Sequence, residues 1–298
     1  MSRRDTNVVC VLPLRGAGGE PISFARTISS HGCAHLPPAR FTESPLEYHR
    51  SLRVGDRVVE VRMRGSAERL VADSTVALDR DDRKAIRSQI ARMFRLDDDL
   101  APFYRRIDRD ERLSWAAAGA GRLLASPTVF EDVIKTICTT NCAWSATIRM
   151  TSALVERGNG TFPEPGALAQ TPAAWYRDVA RMGYRGRYVQ SIARAVNDGS
   201  VDLESLRPAR GRSDADVEEA LLALPGIGPY GAAHVMQLLG RHRSLVLDSW
   251  TRPAYLRLAN KKRAGDATIR RAFASYGEHA GLAFWLFLTR DWLEDGSR

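Results

Sequence analysis

Residues 218–240 read EEALLALPGIGPYGAAHVMQLLG, and the fold turns on the six residues GIGPYG at 226–231 within them. They match G-x-G-x-x-G letter for letter, and Asp248 follows about 20 positions on, as in the fingerprint of a dinucleotide-binding fold. That fingerprint requires a buried strand before the glycines and a helix after them. No strand precedes them here. Val217, Leu221 and Leu224 recur at helical spacing with Ala220 beside them, and Ser213 or Asp214 stands ready as a cap. Pro225 stops that helix, and Gly226 and Gly228 permit backbone angles closed to other residues. A second helix begins at once and ends on Gly240. The unit over 214–240 is therefore helix, glycine-rich turn, helix, and the nicotinamide-dependent reading fails on context.

Such a turn has a physical use. Its backbone N–H groups, at Gly226, Gly228, Tyr230 and Gly231, can point outward together, and the second helix adds its positive end. The result suits a phosphate, and glycine lets a phosphodiester backbone come close. Contacts of this kind fix register and carry no sequence information. A plain αα-corner would need the same glycines. Asp248 separates the two readings, because a carboxylate beside a phosphate grip points to chemistry, although it could also cap the next helix.

The rest of the chain sets the frame. Its 298 residues suffice for one large domain or two ordinary ones, and 44% of them are hydrophobic, enough for a real core. No run reaches the ~18 apolar residues of a membrane span, and the N-terminal VVCVLPL reads as a strand rather than a signal peptide. Lys and Arg outnumber Asp and Glu by 44 to 35, a net +9 that is nearly all arginine and fits a polyanion partner. The four cysteines, at 10, 33, 138 and 142, are too scattered for a disulfide framework, so a reducing cytoplasm is expected. Cys138 and Cys142 lack a second close pair, so neither a structural zinc nor an iron–sulfur cluster is expected.

The organisation reads as α+β: a β-rich antiparallel domain over 1–80, then a mostly helical region over 81–298. In DRVVEVRMRG, Val59, Val61 and Met63 fall on one face of a half-buried strand, and ERLVADSTV can pair with it across a turn near Gly65. Ile86, Ile90, Met93 and Phe94 then form a helical stripe. SPTVFEDVIKTICTTN opens a further helix, capped by Ser126 before Pro127 or by a Thr128–Glu131 capping box.

The run LPGIGPYGAAHVMQLLGRHRSLVLDSW, 224–250, resembles the signature of the helix–hairpin–helix (HhH-GPD) DNA glycosylases of base excision repair. Two other stretches support the resemblance. SPTVFEDVIKTICTTNCAWSATIRMTSALVERG is similar to that family's wedge-bearing helix–loop–helix, and the stretch through GYRGRY at 183–188 is similar to its 8-oxoguanine branch. Together they cover roughly 115–295, and the β-rich start is similar, less specifically, to the N-terminal domain of the 8-oxoguanine and alkylbase branches.

The resemblance implies a monomeric hydrolase that flips a damaged base out of double-stranded DNA and cleaves its N-glycosyl bond. It makes Asp248 the catalytic carboxylate, Asn141 the plug of the emptied stack, and Tyr184 and Arg185 the residues pressing on the opposite base. Bifunctional members carry a lysine where this chain has Tyr230. Lys135 lies upstream and Lys261 and Lys262 lie downstream, so a monofunctional enzyme is expected. An aromatic at 230 is similar to the alkylbase branch. Phe284 stands where the 8-oxoguanine branch has a glutamine, so the alkylated base is expected over 8-oxoguanine, with Phe284 and Trp285 as an aromatic wall. No cofactor is required. The family implies a monovalent cation, Na+ or K+, on the backbone carbonyls of Leu222, Leu224 and Ile227. The remaining alternative is a hairpin protein that grips DNA without cleaving it.

Overall fold

The computed structural model describes residues 7–208 and 211–294. Five strands, β1 (Asn7–Pro13), β2 (Ala39–Glu43), β3 (Leu46–Val54), β4 (Arg57–Gly65) and β5 (Arg69–Ser74), form an antiparallel sheet in the order β1-β5-β4-β3-β2. Val59, Val61 and Met63 of β4 point into the core, as their period of two predicts, and β4 pairs with β5 from Gly65–Leu70 to Val61–Ser74. A short helix, α1 (Phe24–Ile28), lies in the long β1–β2 connection.

Helices make up the rest: α2 (Arg80–Met93), α3 (Ala101–Ile107), α4 (Val129–Thr139), α5 (Trp144–Arg157), α6 (Pro165–Ala169), α7 (Arg185–Asn197), α8 (Asp214–Leu222), α9 (Pro229–Leu238), α10 (Thr251–Leu258), α11 (Asp266–Phe273) and α12 (Ala280–Glu294). Among the described residues no helix is long and apolar enough to cross a membrane. Thr128, not Ser126, caps α4, its hydroxyl accepting from the Glu131 N–H at 3.1 Å.

The expected division at residue 80 needs correction. Ile86, Ile90, Met93 and Phe94 pack into the core of the sheet, where Phe94 stacks on Phe24 with centroids 5.6 Å apart. The stripe on α2 showed that one face is buried, but not against which partner. The helices themselves enclose two cores, one around α4, α7, α8 and α9 and one around α3, α10, α11 and α12. α9 feeds both, through Val235 and Met236 on one side and Leu238 on the other.

A buried ionic seam joins the sheet to the helices. Glu131 of α4 is ion-paired with Arg50 of β3 and, at 2.7 Å, with Lys135 one turn along its own helix. Asp132 takes Arg92 of α2 at 3.2 Å and the Ser126 N–H at 2.8 Å. The two cations hold the Glu131 carboxyl below its usual range against the opposing pull of burial.

Candidate active site

The hairpin is built locally. The Ser213 hydroxyl accepts from the Asp216 N–H, and the Asp216 carboxylate accepts from the Ser213 N–H, so α8 begins with a capping box. After α8, the Ile227 N–H donates to the Leu224 carbonyl at 3.2 Å, closing a turn with Pro225 and Gly226 at its corners. Gly226 has φ +85°, the left-handed region required at the third residue of a type II turn. A Cβ there would also stand 2.5 Å from the ring of Tyr188, so α7 packs directly on the turn. Gly228 differs: its backbone is extended, and a Cβ would meet nothing within 4 Å. It caps α9, whose first turn has Pro229 at its start and leaves its N–H groups without helical partners.

Asp248 sits across from this turn, in the short link after α9. Its Oδ1 accepts from the N–H groups of Trp250 at 2.8 Å and Thr251 at 2.6 Å. Its own N–H donates to Thr251 Oγ1 at 2.8 Å. The carboxylate therefore caps α10, the plain role, and the capping fixes its direction. Its second oxygen, Oδ2, has no hydrogen bond among the described residues.

That cleft has a volume of ≈ 660 Å³ and is lined by Asp248, Tyr230, Gly226, Ile227, Gly228, Gly231, Asn141 and Tyr184, with Tyr188 and Arg252. Residues predicted from three separate stretches of sequence thus meet in one place. The Tyr230 hydroxyl lies 3.3 Å from Thr139 Oγ1, and its ring is stacked with His234, centroids 6.2 Å apart. Burial pushes the Tyr230 phenol up to about 12, so it is neutral at ordinary pH. Asn141 projects from the tip of the α4–α5 loop with φ +46° and donates to the Tyr184 hydroxyl at 3.5 Å.

Three expectations change. Arg185 does not reach outward; it is 8% exposed and donates to the carbonyls of Thr140 and Asn141, each at 3.0 Å. It holds the α4–α5 loop in shape, while exposed Tyr184 stacks on its guanidinium at 4.6 Å. Phe284 is fully buried, packed edge-on against Phe273 at 5.2 Å, and forms no wall of the cleft. Trp285 is buried too; its indole N–H donates to the Ser30 carbonyl at 2.9 Å, which ties α12 to the β1–β2 connection. Seven residues on, Trp292 lies on the same helical face. Trp292 lines a second hollow of ≈ 330 Å³ with His31, Gly32, His35 and Phe41, and Trp250 leans on it at 5.1 Å. A row of rings, His31, His234 and Tyr230, connects this hollow to the cleft. Sequence reasoning missed Trp250, Trp292 and His31; only the position of Trp292 one heptad after Trp285 gave a signal.

This architecture matches the α+β fold of DNA glycosylases of known structure. The chain is similar to 3-methyladenine DNA glycosylase from Archaeoglobus fulgidus, with a TM-score of 0.72 at 21% identity over 95% of this chain and 98% of that one. It is similar to MBOgg1 in complex with a low-affinity DNA ligand, with a TM-score of 0.71 at 19% identity over 97% and 99% of the two chains. A third likeness is to the 8-oxoguanine glycosylase/lyase of Clostridium acetobutylicum bound to double-stranded DNA with cytosine opposite 8-oxoguanine, at 0.70, 18% identity, and 95% and 98% coverage. No family model matches the chain, and no curated protein matches its sequence. Identities this low establish a shared fold; the chemistry rests on the residues of the cleft.

Proposed function

We propose that this protein is a monofunctional DNA glycosylase of base excision repair that acts as a monomer on an alkylated base in duplex DNA. The observation that carries the reading is the placement of Asp248, a carboxylate fixed by a helix cap, in the same cleft as the open N–H groups of the hairpin. The hairpin holds a phosphate of the damaged strand, and the net charge of +9 draws the duplex in. Asn141 fills the gap left by the flipped nucleotide, with Tyr184 beside it. As the glycosidic bond breaks, the sugar becomes cationic, and Asp248 stabilises that charge and orients the attacking water.

The flipped base fits the hollow between Gly32 and Trp292, whose aromatic face suits an electron-poor, alkylated ring. A monovalent cation fits the hairpin carbonyls, because Leu222 ends α8 and its carbonyl lies beyond that helix's own ladder. When bound, it would add positive charge beneath the phosphate.

The absence of a lyase step is supported by the surroundings of each lysine named above. Tyr230 carries no amine. Lys135 is buried in the ionic seam with Glu131, and Lys261 and Lys262 are exposed beyond α10. The test is incubation with duplexes that each hold one of 3-methyladenine, hypoxanthine, uracil or 8-oxoguanine. The expected result is release of the alkylated base, with strand breaks only after alkali and little borohydride-trapped adduct. Release of none of the four would overturn the glycosylase reading. Efficient trapping would overturn the monofunctional one alone.

A further inference from the structure

Beneath the ring of Tyr230 the fold brings together three side chains to which the proposed reaction assigns no chemical step. His31 and Cys33 come from the β1–β2 connection and His234 from the middle of α9. Each offers one ligand atom, and the three atoms lie within 4.8 Å of one another. They border a small internal cavity of ≈ 10 Å³, room for about one water or one ion.

Two features of the imidazoles are unusual for core residues. The Nε2 of His31 is bonded to the Leu124 carbonyl at 2.8 Å, so this nitrogen carries the proton and Nδ1 presents a lone pair. That Nδ1 is buried and has no hydrogen-bond partner among the described residues, and the same is true of Nε2 of His234. Buried polar atoms are normally paired. A histidine whose far nitrogen is anchored on a carbonyl while the near one stays open is the arrangement found around metal ions.

We infer that His31, Cys33 and His234 form a binding site for one zinc-class divalent ion, with His31 Nδ1, Cys33 Sγ and His234 Nε2 as ligands. Two imidazoles and a thiolate are a donor set for zinc or cobalt rather than magnesium or calcium. Tetrahedral bonds of about 2.0–2.3 Å hold such ligands roughly 3.5 Å apart, so the cluster closes by about an ångström as the ion enters. The Cys33 thiol releases its proton to solvent as it binds the ion, since the thiolate is the ligand. Three protein ligands leave a fourth position for water. The ion would clamp the β1–β2 connection to the hairpin helix, at the junction of the two hollows.

Cobalt(II) is the probe. The full-length protein, stripped with chelator, is titrated with Co2+, and metal content is measured after gel filtration. One equivalent, a sulfur-to-cobalt charge-transfer band and its bleaching by Zn2+ are expected. Cys33→Ser should abolish that band, His234→Gln should weaken Co2+ binding at least tenfold, and Cys10→Ser should leave both unchanged. Thermal melts with and without Zn2+ should show stabilisation of wild type that is lost in His234→Gln. A wild-type protein that shows no band at millimolar Co2+ overturns the proposal whatever the variants do. A band that survives Cys33→Ser overturns it too, by placing the metal elsewhere.

Discussion

The ionic seam and the cleft handle carboxylates in opposite ways. Glu131 is enclosed, and its charge is consumed by Arg50 and Lys135, which arrive from β3 and from its own helix. Asp248 is half exposed, and its carboxylate accepts from two backbone N–H groups on one oxygen of two. A carboxylate fully matched by buried cations serves the fold. One held by amide dipoles at a helix start, with an oxygen to spare, is the one the proposed reaction uses. The same residue class is thus sorted by what neutralises it.

Removing each carboxylate tests that contrast. Glu131→Ala leaves two cations buried without their anion and should destabilise the protein by about 3–5 kcal/mol. The urea midpoint should fall at unchanged m, while base release per folded molecule stays at the wild-type level; unchanged stability would show that the seam holds nothing together. Asp248→Asn keeps a capping side chain, so the melt should move little. Base release should fall about 10²–10³-fold with lesion binding retained, since the lost charge matters as the sugar becomes cationic. Turnover above about a tenth of wild type, a loss below 1.4 kcal/mol, would remove Asp248 from the reaction.

The hairpin sharpens the contrast from the ligand's side. A Cβ at Gly228 has free space and an ordinary backbone, so Gly228→Asp should leave stability alone. Its charge would face the phosphate, and binding should weaken about tenfold or more for damaged and undamaged duplexes alike, most at low salt. Equal binding at moderate salt would mean that the hairpin is not the anchor.

His242 supplies the smallest effect, on the structural side. Burial, with Arg95, His279 and Arg122 adding to it, holds this ring well below the ordinary 6.5. The folded state keeps it neutral, whereas the unfolded chain protonates it near 6.5. Its contribution is complete above that value and is lost as pH falls below it, by about 1.4 kcal/mol per unit. Comparing stability near pH 7.5 and about pH 5.5 should show a loss to which buried His31 and His234 also contribute, and His242→Phe should reduce it by the share of one histidine.

What could be read beforehand was local. The turn at Gly226, the Ser213 cap and the alternation of Val59, Val61 and Met63 are each fixed by residues within a few positions, and the spacing from hairpin to Asp248 carried the resemblance. The failures share one cause, a partner distant in sequence. GLAFWLFL is apolar all round, so nothing in it says that Phe284 faces the core and Trp285 the Ser30 carbonyl. Arg185 turns inward for carbonyls more than 40 residues away. His31 and His234 are about 200 positions apart, and the cysteine spacing alone hid the third member of their cluster.

Arg185 bears on time as well as on shape. The α4–α5 loop reaches its strained conformation at Asn141 before any duplex arrives, because the guanidinium already spans its two carbonyls. On the proposed reading, no segment of the wedge has to order during the encounter, so docking is close to rigid. Association is then governed by diffusion and the long-range field of the surface, and it is nearly equal for intact and damaged DNA. Discrimination falls to residence time: an intact site is left quickly, and a lesion that surrenders its base to the hollow is left slowly.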